Sequence, residues 1–254
     1  MTTQGVTKPR QVYLFGTCLV DLFFPEAGVD TVSLLEREGV KVIYPKDQTC
    51  CGQPAYNSGY HAEARAVARQ QVRLFPGDAP VVVPSGSCAS MMKHHYLDLF
   101  RGEPDFAEVE ALSQRVYELT EFLVRVLDVQ LTDLGAPEKV AIHTACHARR
   151  EMGVAGDADA LVDQLAHVER VGFTRQTECC GFGGTFAVKH GPISAAMVSE
   201  KVDCIEAATP DRLVGGDCGC LMNLNGTLEK RGERLRGQHI ATFLRNRQRS
   251  GANE

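Results

Sequence analysis

The sequence predicts an α/β protein of two similar lobes, each a small parallel sheet flanked by helices, related by internal duplication. Three observations predict this. First, eight of the ten cysteines form one pattern written twice. It runs Cys18, 31 residues, Cys50-Cys51, 36 residues, Cys88, and then Cys146, 32 residues, Cys179-Cys180, 39 residues, Cys220. Spacings that agree this closely mark an internal repeat. Second, short apolar runs alternate with amphipathic stretches in both copies, the order that builds parallel sheets with right-handed crossovers. Third, the cysteines follow the apolar runs, and the carboxyl ends of parallel strands are where such sheets collect ligand groups.

In the first copy Val12-Tyr13-Leu14-Phe15 reads as a strand ending at Gly16-Thr17-Cys18. A helix through Val32, Leu34 and Leu35 follows, closed by Gly39, and a strand over 40–44 leads to Cys50-Cys51-Gly52. A second helix covers 61–75 and stops at Pro76-Gly77. The strand Val81-Val82-Val83 then runs into Pro84-Ser85-Gly86-Ser87-Cys88. The stretch 106–127 is predicted as a helix bridging the lobes, with Leu134-Gly135-Ala136-Pro137 as the linker. The second copy repeats the order: strand 140–142 into Cys146, helix 158–171, Cys179-Cys180-Gly181, helix 193–207, and strand 212–214 into Cys218 and Cys220. The predicted domains are 10–133 and 138–246. Lobes facing each other across a pseudo-twofold axis would bring both sets of thiols to one cleft.

With 254 residues, 44% hydrophobic and 23% charged, the chain has an ordinary globular composition. A net charge of -5 argues against a general nucleic-acid binder. No apolar run approaches the roughly 18 residues that span a bilayer. The N-terminal MTTQGVTKPR is polar and lacks the apolar stretch of a secretory signal. The expected location is the cytoplasm, where metal binding or redox chemistry is favoured over a disulfide framework.

Adjacent cysteines have Cα atoms about 3.8 Å apart, and in a strand their side chains point to opposite faces. Both reach one centre only in a tight turn, which Gly52 and Gly181 suit because glycine takes φ > 0 and lets backbone approach a bulky ligand. A single zinc ion would strain two neighbouring thiolates, whereas a multi-iron cluster offers them different iron atoms. The sequence contains no Cys-x-x-Cys, which weakens the zinc-knuckle and common ferredoxin readings. The predicted metal sites are iron–sulfur clusters, one per lobe, on Cys18, Cys50, Cys51 and Cys88 and on Cys146, Cys179, Cys180 and Cys220. Zinc in one lobe is the alternative.

His143 and His147 flank Cys146 and are the catalytic candidates, as hydrogen-bond donors to a cluster or as proton carriers. The plainer reading is a strand-end histidine satisfied by backbone. Gly181-Phe182-Gly183-Gly184 fails the dinucleotide spacing because Phe186 occupies the last position, so Gly183 is read in a tight turn packed on the cluster. His94-His95 lacks the glutamate of a zinc hydrolase and reads as surface helix. Cys204 reads as a small buried hydrophobe. Arg231, Arg234, Arg236, Arg245, Arg247 and Arg249 read as a solvated basic end, or as a dock for an acidic partner.

The paired Cys-Cys-Gly motifs resemble the cysteine-rich domain of the heterodisulfide reductases and of the glycolate oxidase iron–sulfur subunit. The flanking text is more specific: Cys50-Cys51-Gly52-Gln53-Pro54-Ala55, Pro84-Ser85-Gly86-Ser87-Cys88 and Cys179-Cys180-Gly181-Phe182-Gly183-Gly184-Thr185-Phe186 resemble the lactate utilization protein A family. The resemblance spans roughly residues 10–246. It implies a cytoplasmic oxidoreductase subunit that oxidises L-lactate to pyruvate with companion subunits, including a ferredoxin-type iron–sulfur protein, and it implies four-iron clusters. The wider pattern ends in Cys-x-x-Cys, but Ser85 and Asp217 stand at the first of those positions. Cys218 is therefore a candidate fifth ligand in the second lobe. Two other readings stay open: a heterodisulfide-reductase-like thiol–disulfide subunit, and a non-catalytic metal or redox sensor.

Overall fold

The computed structural model describes residues 8–249, so residues 1–7 of the polar N-terminal segment lie outside the described residues. The first lobe opens with β1 (Gln11–Leu14), α1 (Cys18–Phe23), α2 (Pro25–Arg37), β2 (Lys41–Ile43), α3 (Gln53–Asn57) and α4 (His61–Leu74). It continues with β3 (Val81–Val83) and α5 (Gly86–Ser90), which passes through a π turn at Met91–His95 into α6 (Tyr96–Leu99). Then come α7 (Phe106–Ser113), β4 (Val116–Glu118) and α8 (Leu119–Glu121), the last extended by a π turn at Phe122–Val126. The second lobe begins with β5 (Glu138–His143), α9 (Cys146–Arg150), α10 (Ala155–Val162), β6 (Val168–Arg170), α11 (Phe186–Lys189) and α12 (Gly191–Ala207). It ends with β7 (Arg212–Gly215), α13 (Cys218–Lys230), β8 (Gly237–His239) and α14 (Ile240–Arg247).

Each lobe holds a four-stranded, all-parallel sheet, ordered β2-β1-β3-β4 and β6-β5-β7-β8. The duplication therefore extends to the strand order, and the α/β prediction holds. Two regions differ from the sequence reading. The bridging helix 106–127 is interrupted by β4, whose three residues carry no glycine or proline to mark the break. Helix 158–171 begins earlier and ends at Val162, and its tail becomes β6, an edge strand with two exposed charged residues and hence no apolar signature. The polar strand β8 was equally silent.

The lobes exchange their final helices. α14 lies along α2 of the first lobe, and α8 lies against α10 of the second. Val12, Leu34 and Phe122 accordingly share one apolar core with Ile142, Leu161 and Phe243. A second core, containing Phe15, Val81, Ala141 and Leu213, lies under the thiols of both lobes.

Candidate metal centre

In both lobes two cysteines stand at or near the starts of helices that follow central strands, and a Cys-Cys-Gly turn follows the outer strand. Cys18 opens α1 and Cys146 opens α9, while Cys88 and Cys220 are the third residues of α5 and α13. The loop before Cys18 is held tightly: Thr17 sits at φ 53 and its hydroxyl accepts from Val20 N.

The two Cys-Cys-Gly turns fold alike. Gly52 sits at φ 87 and donates its N–H to Cys50 Sγ at 3.4 Å; Gly181 sits at φ 82 and donates to Cys179 Sγ at 3.3 Å. A Cβ at residue 181 would lie 2.8 Å from the Ser194 carbonyl, so only glycine fits there. The carbonyls of the second cysteines are pinned by equivalent donors: Tyr96 Oη reaches Cys51 O and Asn223 Nδ2 reaches Cys180 O, both at 2.8 Å. The loops leading in are pinned too. Gln71 Nε2 donates to Thr49 Oγ1 at 2.7 Å. Buried Lys201 donates to the carbonyls of Arg175, Gln176 and Glu178 at 2.7–2.9 Å.

These constraints gather each quartet of thiols. Cys51 and Cys88 place their sulfurs 3.4 Å apart. Hydrogen bonds from Cys18 and Cys51 bring the Cys50 thiol down to about 3, and those from Cys146 and Cys180 bring Cys179 down to about 2. The donors move the opposite way: Cys18, Cys51, Cys146 and Cys180 are all raised, chiefly because each gives a hydrogen bond to a neighbouring sulfur. Each quartet thus already favours a thiolate, the form that binds metal. All ten cysteines are free. All eight quartet cysteines line one cavity of about 330 Å³ between the lobes. Gln53, His147 and Phe182 also line it, and no lysine or arginine does among the described residues.

The remaining sequence candidates fall at different depths. His147 faces the cavity, with Nδ1 3.5 Å from Cys146 Sγ and Nε2 3.5 Å from Gln53 Nε2. His143 is buried at 2% exposure and neither ring nitrogen has a hydrogen-bond partner, so the backbone-satisfied reading fails. Burial pushes its imidazole down to about 4. Gly183, at φ 54 on the cavity wall, leaves no room for a Cβ beside Phe186. Cys218 also borders the cavity, but it is buried against Val20 and Ala27 of the first lobe, and burial raises its thiol. Ser85 and Asp217 meet: the Ser85 hydroxyl donates to Asp217 Oδ2 at 3.1 Å.

Outside the site, His94 is exposed and His95 pairs with Glu151 at 2.9 Å. Cys204 is half-buried and packs on the core. The basic C-terminal end is solvated at Arg231, Arg234, Arg236 and Arg249 and is corrected at Arg247, which is buried and clamped by Asp133 and Glu138, because its guanidinium closes the linker onto α14. Sequence reasoning missed Tyr96, Asn223, Gln71 and Lys201. Asn223 alone left a signal, standing one helical turn beyond Cys220 and so on the same face.

The profile of the cysteine-rich CCG domain matches residues 12–93 and 140–225. The fold and its paired thiol sets define a protein of two such domains, and their clustered cysteines point to metal or iron–sulfur binding. The chain is 48% identical to lactate utilization protein A of Geobacillus kaustophilus, covering 92% of this chain and 98% of that one. It is 46% identical to that of Geobacillus thermodenitrificans (93% and 99%) and 47% identical to that of Bacillus licheniformis (93% and 100%). It belongs to the lactate utilization protein A family. The crystal structure of a hypothetical protein from Helicobacter pylori is similar in fold, with a TM-score of 0.66 at 12% identity, covering 100% of this chain and 52% of that one. This chain spans about half the length of that protein.

Proposed function

We propose that this protein is the iron–sulfur, electron-transferring subunit of a system that oxidises L-lactate to pyruvate. One observation carries the reading: two equivalent thiol quartets open on a single cavity. The donor set fits the group. Four soft sulfur ligands stand in each lobe, and two of them are adjacent in a glycine turn that lets backbone approach closely. When bound, four-iron clusters would supply one-electron storage on each side of the cleft.

The chain's own residues hold and shape this site. Cys18, Cys50, Cys51 and Cys88 serve the first lobe, and Cys146, Cys179, Cys180 and Cys220 the second. Tyr96, Asn223, Gln71 and Lys201 fix the backbone that presents them. His147 is the one titratable imidazole facing the cavity among the described residues, and it is placed to hold a proton beside Cys146. Among the described residues the cavity wall offers no arginine or lysine to a carboxylate, which favours lactate binding on a companion protein and electron passage through this one. A ferredoxin-type iron–sulfur protein is the partner that this role requires.

The test is anaerobic purification with iron, sulfide and electron paramagnetic resonance analysis of the wild type and of Cys51→Ser and Cys180→Ser. Each substitution exchanges a soft ligand for a poor one and is expected to remove about one cluster's worth of iron. Full iron in either variant would overturn the ligand assignment of that lobe. Absence of sulfide in the wild type would overturn the iron–sulfur reading.

A further inference from the structure

We propose that His143 is a ring-nitrogen ligand to the metal centre of the second lobe, a contact with no counterpart in the first. The inference rests on the iron–sulfur reading above.

The duplication supplies the comparison. His143 stands three residues before Cys146, and Phe15 stands three residues before Cys18. Both lie at the ends of equivalent strands and are shut away from solvent, at 2% and 0% exposure. Phe15 belongs to the core that also holds Cys51. The fold therefore accepts an apolar ring at this place, and the second lobe carries an imidazole instead.

That imidazole has no hydrogen-bond partner on either nitrogen. Buried polar side chains nearly always find one, and an exception asks for a specific explanation such as a bound ion. Its surroundings answer the question. A ring nitrogen of His143, Cys180 Sγ and Cys220 Sγ all lie within 4.8 Å of one another, and all three residues are buried. One imidazole nitrogen with two thiolates is a donor set that iron and zinc both accept. His147 is different: it faces the cavity, with Cys146, Gln53 and Glu151 beside its ring. The second centre therefore has mixed nitrogen and sulfur ligation, the first has sulfur alone, and the two are electronically unequal.

The experiment is pulsed electron paramagnetic resonance on the full chain, reconstituted anaerobically with iron and sulfide, reduced, and carrying 15N-labelled histidine. The expected result is one strongly coupled histidine nitrogen that disappears in His143→Phe and survives in His147→Ala. The phenylalanine variant copies the residue of the first lobe and is expected to fold, which its circular dichroism and retained iron in the first lobe check. It should move the midpoint potential of one centre and leave the other where it was. Full iron loading with no histidine coupling and no change of potential in His143→Phe overturns the inference while sparing the iron–sulfur reading, as does a coupling that persists in that variant. A chain that takes up no iron and sulfide overturns both.

Discussion

Ser85 and Asp217, 132 residues apart in sequence, are joined by a buried hydrogen bond of 3.1 Å across the two lobes. Each stands three residues before the last quartet cysteine of its lobe. Asp217 also accepts from Ser87 N at 3.0 Å and caps α13 through Gly219 N at 3.2 Å. Two positions without thiols thus form a polar seam between the thiol sets.

Asp217→Ala removes the acceptor from all three donors at a buried site. Unsatisfied buried donors and a lost N-cap together cost about 2–4 kcal/mol. The expected fall in melting temperature is roughly 5–12 °C for a chain of this size. Calorimetry of the anaerobic protein measures it, and an unchanged transition would show that the seam is not stabilising.

Gly86 and Cys218 occupy equivalent places two residues before Cys88 and Cys220. A Cβ at residue 86 would lie 2.6 Å from Ala148 Cβ, so Gly86→Ala is expected to cost about 1–3 kcal/mol through overpacking. Cys218→Ala only opens a small void beside Val20 and Ala27, at about 1 kcal/mol, and should keep full iron. Denaturant titration and iron analysis read both; iron lost from Cys218→Ala would make that thiol a ligand.

Lys201→Met leaves the carbonyls of Arg175, Gln176 and Glu178 without their common donor. The loop entering Cys179 then loosens, and metal release to a chelator from the second lobe should quicken about tenfold, the low end of what changes behind the ligands produce. First-lobe metal should be released at the wild-type rate. Equal acceleration in both lobes would contradict this.

Glu118 and His239 are equivalent caps, closing the first turns of α8 and α14, yet they respond oppositely to pH. Glu118 Oε2 accepts from Thr120 N and Glu121 N, and burial raises the carboxyl to about 7. Its contribution is present below its ordinary 4.5 and is lost as pH rises through about 7. His239 Nδ1 accepts from Ala241 N while Nε2 faces Pro84 O at 3.1 Å, which only the neutral ring can satisfy. Burial lowers it to about 4, opposed by the nearby Asp217 carboxylate. Its contribution is present above its ordinary 6.5 and is lost as pH falls towards about 4. Between pH 7 and about 4.5 the wild type should lose about 2–3 kcal/mol more stability than His239→Gln. Urea unfolding at the two pH values checks it; equal losses would remove His239 from the acid response.

The strands leading into Cys18, Cys88, Cys146 and Cys220 were legible because they are apolar, and the cysteine repeat marked where they end. β6 and β8 were not, since Val168-Glu169-Arg170 and Gly237-Gln238-His239 sit at sheet edges and carry no apolar alternation. The adjacent cysteines and their glycine gave the turn at residues 50–52 and 179–181, which the backbone at Gly52 and Gly181 adopts. Tyr96 and Lys201 stayed hidden because they reach the site from other helices. A single hydroxyl or ammonium on a long side chain leaves no periodic trace, and only the folded chain shows which carbonyl it meets.

The exchange of α14 and α8 has a consequence for the origin of the chain. A half-length protein with this interface would have to pair with its own copy, and in such an isologous dimer equivalent positions of the two halves carry the same residue. Fusion lifts that restriction. Phe15 and His143, Ser85 and Asp217, Gly86 and Cys218, Glu118 and His239 are twins that no longer match. A symmetric homodimer would be confined to two identical halves, whereas this chain has a direction.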